Sequence, residues 1–270
     1  MKSRGVGKGR ETRGEQVQDD LVRGSKKRVL VVDVGGNSVK ILATGEPVAR
    51  SFKSGPTLSP RQMVSRVKKL ARDWTYEVVS IGYPGRVLAG RVVAEPRNLG
   101  RGWIGFDFAR SFGCPAKVVN DAAMQALGSY KGGKMLFLGL GTGLGSAMIV
   151  EGIIAPMELS QLPYKKKTYE YYVGRARLER VGKKKWNRHV ADVVRRLIAA
   201  LQPDETVIGG GNVTKLEALP PRCRQGANVN AFRGGFRLWS DDDVVSPKVR
   251  RARTRSKVRR ERAEGMPAEH

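Results

Sequence analysis

Short apolar runs, each broken off by glycine or by a polar side chain, set the pattern of the first 150 positions. Positions 29–32 read Val-Leu-Val-Val and end at Asp33. A second run, 39–43, follows after Val34-Gly35-Gly36-Asn37-Ser38. Continuous apolar stretches of this kind predict buried strands, and the paired glycines predict a turn between them. Ser59-Pro60 supplies an N-cap and a proline at the first helical position. Met63, Val67, Leu70 and Trp74 recur behind it at helical spacing with Lys and Arg between, which predicts an amphipathic covering helix. Positions 77–82 and 117–120 read as further strands. The first runs into the turn Tyr83-Pro84-Gly85, and the second ends at Asn120-Asp121, where a helix over 122–130 begins. Between them, 95–103 is a polar, glycine-rich loop and 104–112 is expected to be helical.

Positions 134–150, KMLFLGLGTGLGSAMIV, carry two apolar runs around Gly139, Gly141, Thr142, Gly143 and Gly145. The pattern predicts two strands joined by a tight turn stripped of side chains. Trp186, Val190, Val193, Leu197 and Leu201 mark one face of a longer helix. A short strand at 206–208 leads into Gly209-Gly210-Gly211-Asn212, read as a strand-to-helix turn, and 231–239 reads as a closing helix. The ends, 1–27 and 241–270, are rich in Arg and Lys without periodicity and predict disorder.

Composition narrows the classes open to such a chain. Its 270 residues suffice for one large domain or two smaller ones. No segment approaches the ~18 uninterrupted apolar residues of a membrane span, and the charged start is not a secretory signal. Cys114, Cys223, His189 and His270 are the only cysteines and histidines. They are too few for a disulfide framework or a zinc site, and a reduced cytoplasmic setting is expected. Net charge is +26, and the tails do not account for it: residues 28–240 hold 34 Lys and Arg against 15 Asp and Glu. Twelve basic residues fall between positions 165 and 196. A segment this basic points either to a polyanionic partner or to a generically basic, solvated surface.

Several of these turns carry candidate chemistry. Asp33, at the end of the first strand, is an ordinary edge residue or a group able to hold a hydrated metal ion beside phosphate approaching Gly35 and Gly36. The 139–145 glycines serve turn geometry alone, or expose backbone N–H groups in a concave anion site. Asp121 is an N-cap or a reactive group at the carboxyl end of a strand.

The order of these motifs is more specific than any one of them. A strand–DxGG–strand opens the chain, Asn-Asp at a strand end follows, then a GxGTGxG hairpin, then a GGGN turn. This order resembles the actin/hexokinase-like ATPase superfold, and within it the ROK sugar kinases, most closely the polyphosphate glucokinases. The stretches that carry the resemblance, over about residues 28–240, are VVDVGGNSVK, PRNLGRGW, VVNDAAMQALG, LGLGTGLGSAMIVEG, MELSQL, GKKKWNRHV, VIGGGNVTKL and NVNAFRGGFRLW.

The resemblance implies an α/β, ribonuclease H-like fold of two lobes around a cleft. The small lobe would be 28–121 joined by a return helix at 231–240, and the large lobe 122–230. It implies a kinase phosphorylating the 6-hydroxyl of glucose from polyphosphate, ATP or both, with Mg²⁺ and without zinc. Asp121 is implied as catalytic base, and Asn98, Asn120, Asp121, Glu158 and Gln161 as sugar ligands. Asp33, Gly35, Gly36, Asn37, Lys40, Gly141, Thr142 and Gly143 would bind phosphate, with Asp33 also holding Mg²⁺ through water. Gly209, Gly210, Gly211 and Asn212 would meet the nucleotide or its equivalent. A homodimer is implied as well.

Two departures from the family pattern bear on specificity. Relatives typically carry Glu-x-Gly-His where this chain has Glu158-Leu159-Ser160-Gln161, and Asn37 stands where threonine is usual. The chain also lacks the family's cysteine-rich zinc motif, as does the polyphosphate glucokinase branch. Three readings are therefore carried forward. They are a glucokinase, a kinase for another hexose or N-acetylhexosamine, and a degenerate fold acting as a regulator or polyanion binder. The basic cluster at 165–196 is expected to form a track for a long phosphate donor. Nucleic acid is expected to be met only non-specifically, through the basic tails.

Overall fold

The computed structural model describes residues 27–240. The ends at 1–26 and 241–270, for which disorder is expected, lie outside the described residues. Residues 29–120 build a first sheet from β1 (Val29–Val34), β2 (Ser38–Ala43), β3 (Arg50–Lys53), β4 (Val78–Tyr83) and β7 (Ala116–Asn120), in the order β3-β2-β1-β4-β7. The first three strands pair antiparallel as a meander, and β4 and β7 extend it in parallel. β1 and β4 are mostly apolar and almost wholly buried because each lies between two neighbours and is covered on both faces. A small arm, β5 (Val87–Leu88) and β6 (Arg91–Val92), projects beyond β4.

Helix α1 (Pro60–Leu70) covers this sheet. Ser59 and Gln62 close a reciprocal capping box at its start, and Met63, Val64 and Val67 are buried. Such a cap contributes about 1 kcal/mol. The helix expected over 104–112 is shorter: only α2 (Phe108–Phe112) is helical. Gly105, at φ +69°, turns the chain first, and Asp107 caps α2 by accepting the Arg110 N–H at 2.9 Å.

After α3 (Asp121–Ser129) a second sheet repeats the plan of the first. β8 (Lys134–Leu140), β9 (Leu144–Val150) and β10 (Ile153–Met157) form an antiparallel meander. Beyond it come two two-residue strands, β11 (Pro163–Tyr164) and β12 (Lys167–Thr168), then α4 (Tyr169–Val173), α5 (Arg175–Val181) and α6 (Lys183–Leu201). β13 (Glu205–Gly209) and β14 (Cys223–Gln225) complete the sheet in parallel, giving β10-β9-β8-β13-β14. The Gly209–Asn212 turn was expected to open a helix. It opens only a 3₁₀ turn, Val213–Lys215, because the chain must double back to β14 within a few residues.

The helix face read from Trp186, Val190, Val193 and Leu197 is buried against Leu136, Leu138 and Ile208 of the second sheet. Each such side chain contributes roughly 1.5–3 kcal/mol. Between the sheets lie α3 and α7 (Asn230–Arg237). Their backbones approach so closely that a Cβ on Gly128 would collide with the Asn230 carbonyl, and one on Gly234 with the Met124 carbonyl. On its other side α7 meets β1 and β4: Gly235 packs on Val31, and Ser80 Oγ donates to the Gly235 carbonyl at 2.6 Å. Thus α7 joins the strand that ends in Asp33 to the helix that begins with Asp121. No described helix is long and apolar enough to cross a membrane.

Candidate active site

The first glycine turn connects β1 to β2. Gly35 N–H donates to the Ser38 carbonyl at 3.0 Å, and a Cβ at Gly35 would lie 2.9 Å from that same oxygen, so the turn closes only without a side chain. Ser54 Oγ holds the Gly35 carbonyl from behind at 2.6 Å. Asn98 reaches over the turn, with its Cβ 3.2 Å from where a Gly36 Cβ would be. The loop bearing Asn98 is shaped by Glu95, whose carboxylate accepts the N–H groups of Gly102 and Trp103 at 3.1 and 3.2 Å. Asp33 is half-buried, opposite Lys40 on β2 and Gly82 on β4. Burial pushes its carboxyl pKa up, and the positive charge of Lys40 partly opposes the rise.

One sheet position further along, β7 ends at Asn120. Its Oδ1 accepts the N–H groups of Ala122 and Ala123 at 3.0 and 3.2 Å, while its Nδ2 donates to the Gly85 carbonyl at 3.0 Å. Asn120, not Asp121, is therefore the N-cap of α3, and Asp121 is the first helical residue. The capping reading of Asp121 falls away because the amide beside it has taken that work. Asp121 Oδ1 accepts only the Ala122 N–H, at 2.8 Å. Burial raises the Asp121 pKa from 3.8 to about 7, with further contributions from the negative charges of Asp33 and, less, Glu158. The hydrogen bond from Ala122 acts the other way. Two carboxylates from distant segments, Asp33 and Glu158, thus act on Asp121.

The second glycine turn, 141–143, joins β8 to β9. Gly141 N–H donates to the Gly143 carbonyl at 3.1 Å. Arg175 N–H reaches the carbonyls of Gly141 and Thr142 at 3.1 and 3.2 Å, and Asn212 Nδ2 holds the Gly141 carbonyl at 2.9 Å. Gly145 lies against the start of α3, where a Cβ would come within 2.9 Å of Ala122 Cβ. The GGGN turn has three different glycines. Gly209 packs on the Phe137 ring, Gly210, at φ +85°, meets the Leu140 carbonyl, and Gly211 faces open space. Of that group, Gly211 is open to a ligand, while Asn212 braces the neighbouring turn.

Glu158 follows β10 and is exposed. Ser146 Oγ donates to the Met157 carbonyl at 2.8 Å and accepts the Leu159 N–H at 3.2 Å, which fixes the backbone on both sides of Glu158. Gln161 donates to Ser160 Oγ at 3.0 Å and, with Thr142, lines a cavity of about 360 Å³. The expected residues therefore fall into linked groups. Asn98 meets the first glycine turn, Asp33, Asp121 and Glu158 share an electrostatic field, Gln161 faces Thr142, and Asn212 braces Gly141. Asn37 and Lys40 are exposed beside the first turn. Among the described residues no cluster of three or more His, Cys, Asp or Glu side chains could by itself enclose a metal ion.

Sequence reasoning did not single out Ser146, Arg97 or Glu170. Arg97 Nη1 and Glu170 Oε1 form an ion pair at 2.6 Å between the Asn98 loop and α4, and the Glu170 carboxylate lies against Gly143. Residues 73 positions apart give no local signal of such a pairing.

No protein-family profile matches the chain. A polyphosphate glucokinase of Mycobacterium leprae is 30% identical over 224 residues, which cover 73% of this chain and 67% of that protein. Among solved structures, the inorganic polyphosphate/ATP-glucomannokinase of Arthrobacter sp. strain KM superposes with a TM-score of 0.67 at 20% identity, over 78% of this chain and 98% of the other. A ROK family glucokinase from Streptomyces griseus, in complex with glucose and AMPPNP, gives 0.65 at 15% identity over 78% and 99%. At these identities the superpositions establish the fold, which is the two-lobed α/β fold of the actin/hexokinase-like kinases.

Proposed function

Since the chain belongs to the polyphosphate glucokinase family of ROK sugar kinases, we propose that it transfers a phosphoryl group from inorganic polyphosphate, ATP or both to the 6-hydroxyl of glucose, with Asp121 as general base. The observation that carries this reading is the state of Asp121. It stands at the first position of α3, relieved of capping by Asn120, with its pKa raised to about 7. A base of that strength is ionised near neutral pH and still takes a proton readily. In the step proposed, the sugar 6-oxygen attacks the terminal phosphorus as Asp121 accepts the hydroxyl proton. A new O–P bond forms, and the bond from phosphorus to the rest of the donor breaks. The electron pair leaves with the shortened phosphate chain or ADP.

Positioning and charge neutralisation supply most of the rate in such transfers. The Thr142 and Gly143 amides would face the transferred phosphoryl, and the turn is held rigid from behind by Arg175 N–H and Asn212. Asn98 and Glu158 offer sugar hydroxyls complementary donors and acceptors, and Asn120 Nδ2 keeps one hydrogen beyond its bond to Gly85. Mg²⁺ fits the residues present as a shared ion. The ion typically takes one or two carboxylates, with water and substrate phosphate completing its shell. Asp33, whose burial disfavours its charge, would hold it at the first glycine turn. Bound there, the ion neutralises donor oxygens. The protein is proposed to act in the cytoplasm as a homodimer.

Ser160-Gln161, in place of the family's Gly-His, favours a second reading, a kinase for another hexose or an N-acetylhexosamine. Gln161 donates and accepts hydrogen bonds but does not titrate. A matrix of sugars (glucose, mannose, N-acetylglucosamine) against donors (polyphosphate, ATP), with Asp121→Asn as control, tests both readings. Glucose phosphorylation abolished in the variant is the expected outcome. Turnover that persists in Asp121→Asn overturns the base assignment, and preference for another sugar selects the second reading.

A further inference from the structure

The twelve basic residues between 165 and 196 differ in what holds them. Arg195 and Arg196 are bound to Asp192 at 2.5 and 3.1 Å. Lys165 lies over the Tyr164 ring at 5.4 Å, and Lys183, Lys184 and Lys185 stand exposed in the first turn of α6. Arg177 and Arg180, on α5, are placed differently. Both line the 360 Å³ cavity that has Thr142, at the tip of the second glycine turn, in its wall, and Arg97 lines the same cavity.

Arg177 has an unmet demand. Its Nε is buried without a hydrogen-bond partner, and its flat guanidinium is held over Tyr171 and Tyr172 at 5.6 and 5.1 Å. Cation–π contacts of this kind position the guanidinium and leave its N–H groups to an oxyanion. Arg180 lies over Tyr171 at 5.9 Å, and neither arginine has a carboxylate partner among the described residues. The one carboxylate in the lining, Glu170, is already spent on Arg97. Two guanidinium charges therefore stand uncompensated in a cavity of small-molecule size. Both guanidinium groups lie over Tyr171, which is itself exposed.

We infer that this cavity is the subsite for the non-transferred phosphates of an inorganic phosphate chain. The terminal phosphoryl lies at the 141–143 turn, the phosphates behind it bind Arg177 and Arg180, and Arg97 exchanges Glu170 for a phosphate oxygen. The assignment rests on the phosphotransferase reading and narrows its donor. It also links donor to sugar, because Arg97 is the chain neighbour of Asn98, which packs on the first glycine turn.

Calorimetric binding of tripolyphosphate to the full chain, without sugar, tests the subsite apart from catalysis. Arg180→Gln and Arg177→Gln are each expected to weaken binding about tenfold, as for loss of one charge-assisted contact. Glu170→Gln is expected to tighten it, and Arg195→Gln, outside the cavity, to leave it unchanged. Arg180 is exposed, so its variant carries the test even if loss of Arg177 stacking disturbs α5. Binding within about twofold of wild type in Arg180→Gln, or weakened by Glu170→Gln, overturns the inference. The two readings fail separately. Tripolyphosphate bound through these arginines without any phosphoryl transfer would remove the kinase reading alone. Glucose phosphorylation with an unchanged donor KM in both arginine variants would remove the subsite alone.

Discussion

Replacing Asp121 by asparagine should abolish turnover and yet stabilise the fold, by an amount that depends on pH. The side chain keeps its shape, and an asparagine Oδ1 still accepts the Ala122 N–H. What changes is the charge. The pKa of Asp121 rises from 3.8 to about 7, so the folded protein holds this proton more tightly than the unfolded chain does. The stabilisation that comes with the proton is fully present below the unfolded value and is lost as pH rises through about 7. At ~1.4 kcal/mol for each tenfold in proton affinity, the loss has an upper bound of about 4 kcal/mol. Asp33 supplies part of the repulsion, and Asp121 is not wholly closed from solvent, so about 2 kcal/mol is the expected gain for Asp121→Asn near pH 8. Near pH 4 the gain should vanish. Urea unfolding of both proteins at the two pH values measures it. A variant no more stable than wild type near pH 8, or a difference independent of pH, would refute the electrostatic account of this site.

If Asp121 is the base, kcat/KM for glucose should fall about tenfold per pH unit below an apparent value near 7 and level off above it. A flat profile between pH 5 and pH 8 would exclude the assignment. Gly234→Ala drives a Cβ into the Met124 carbonyl and should cost about 3 kcal/mol or more, read from the shift in unfolding midpoint. A loss below about 1 kcal/mol would mean that α3 and α7 are not held at that distance. Asn212→Ala removes the bond to the Gly141 carbonyl and should cost about 1–2 kcal/mol. It should raise donor KM while leaving sugar KM unchanged, and an effect on sugar KM alone would contradict the bracing role.

The parts of this fold that could be read from the chain are those where one physical demand dominates a stretch. The face of α6 recurs through nineteen residues, long enough for its period to stand out. The glycines at 141, 143 and 145 announce a turn that excludes side chains. Shorter elements lack that redundancy. α4 and α5 span five and seven residues, too few for a period. β14 reads Cys-Arg-Gln and looks like loop, because Arg224 is satisfied by Glu205 on β13 rather than by apolar cover. At the candidate site the residue types were legible and the division of labour between neighbours was not. Asn120 and Asp121 are both good caps, and Asn120 serves because its Oδ1 accepts the Ala122 and Ala123 N–H groups while its Nδ2 is held by the Gly85 carbonyl. Arg177 and Arg180 were counted among the basic residues, but their place in the cavity depends on the tyrosines they lie over, and the ion pair beside them joins residues 73 positions apart.

The placement of α7 has a consequence for how the protein is born. Its apolar side closes over Val29, Val31, Val78 and Met124, joining the strand of Asp33 to the helix of Asp121, yet it is encoded nearly ninety residues after the second glycine turn. At about 5–20 residues per second, a translating ribosome needs on the order of ten seconds to cover that distance. During that interval the first sheet and the β8 hairpin are already made while the surface that α7 covers is open. The nascent chain is thus expected to be catalytically silent and sticky until α7 arrives. A message cut short before residue 230 would yield a client for chaperones and proteases, not a weak enzyme.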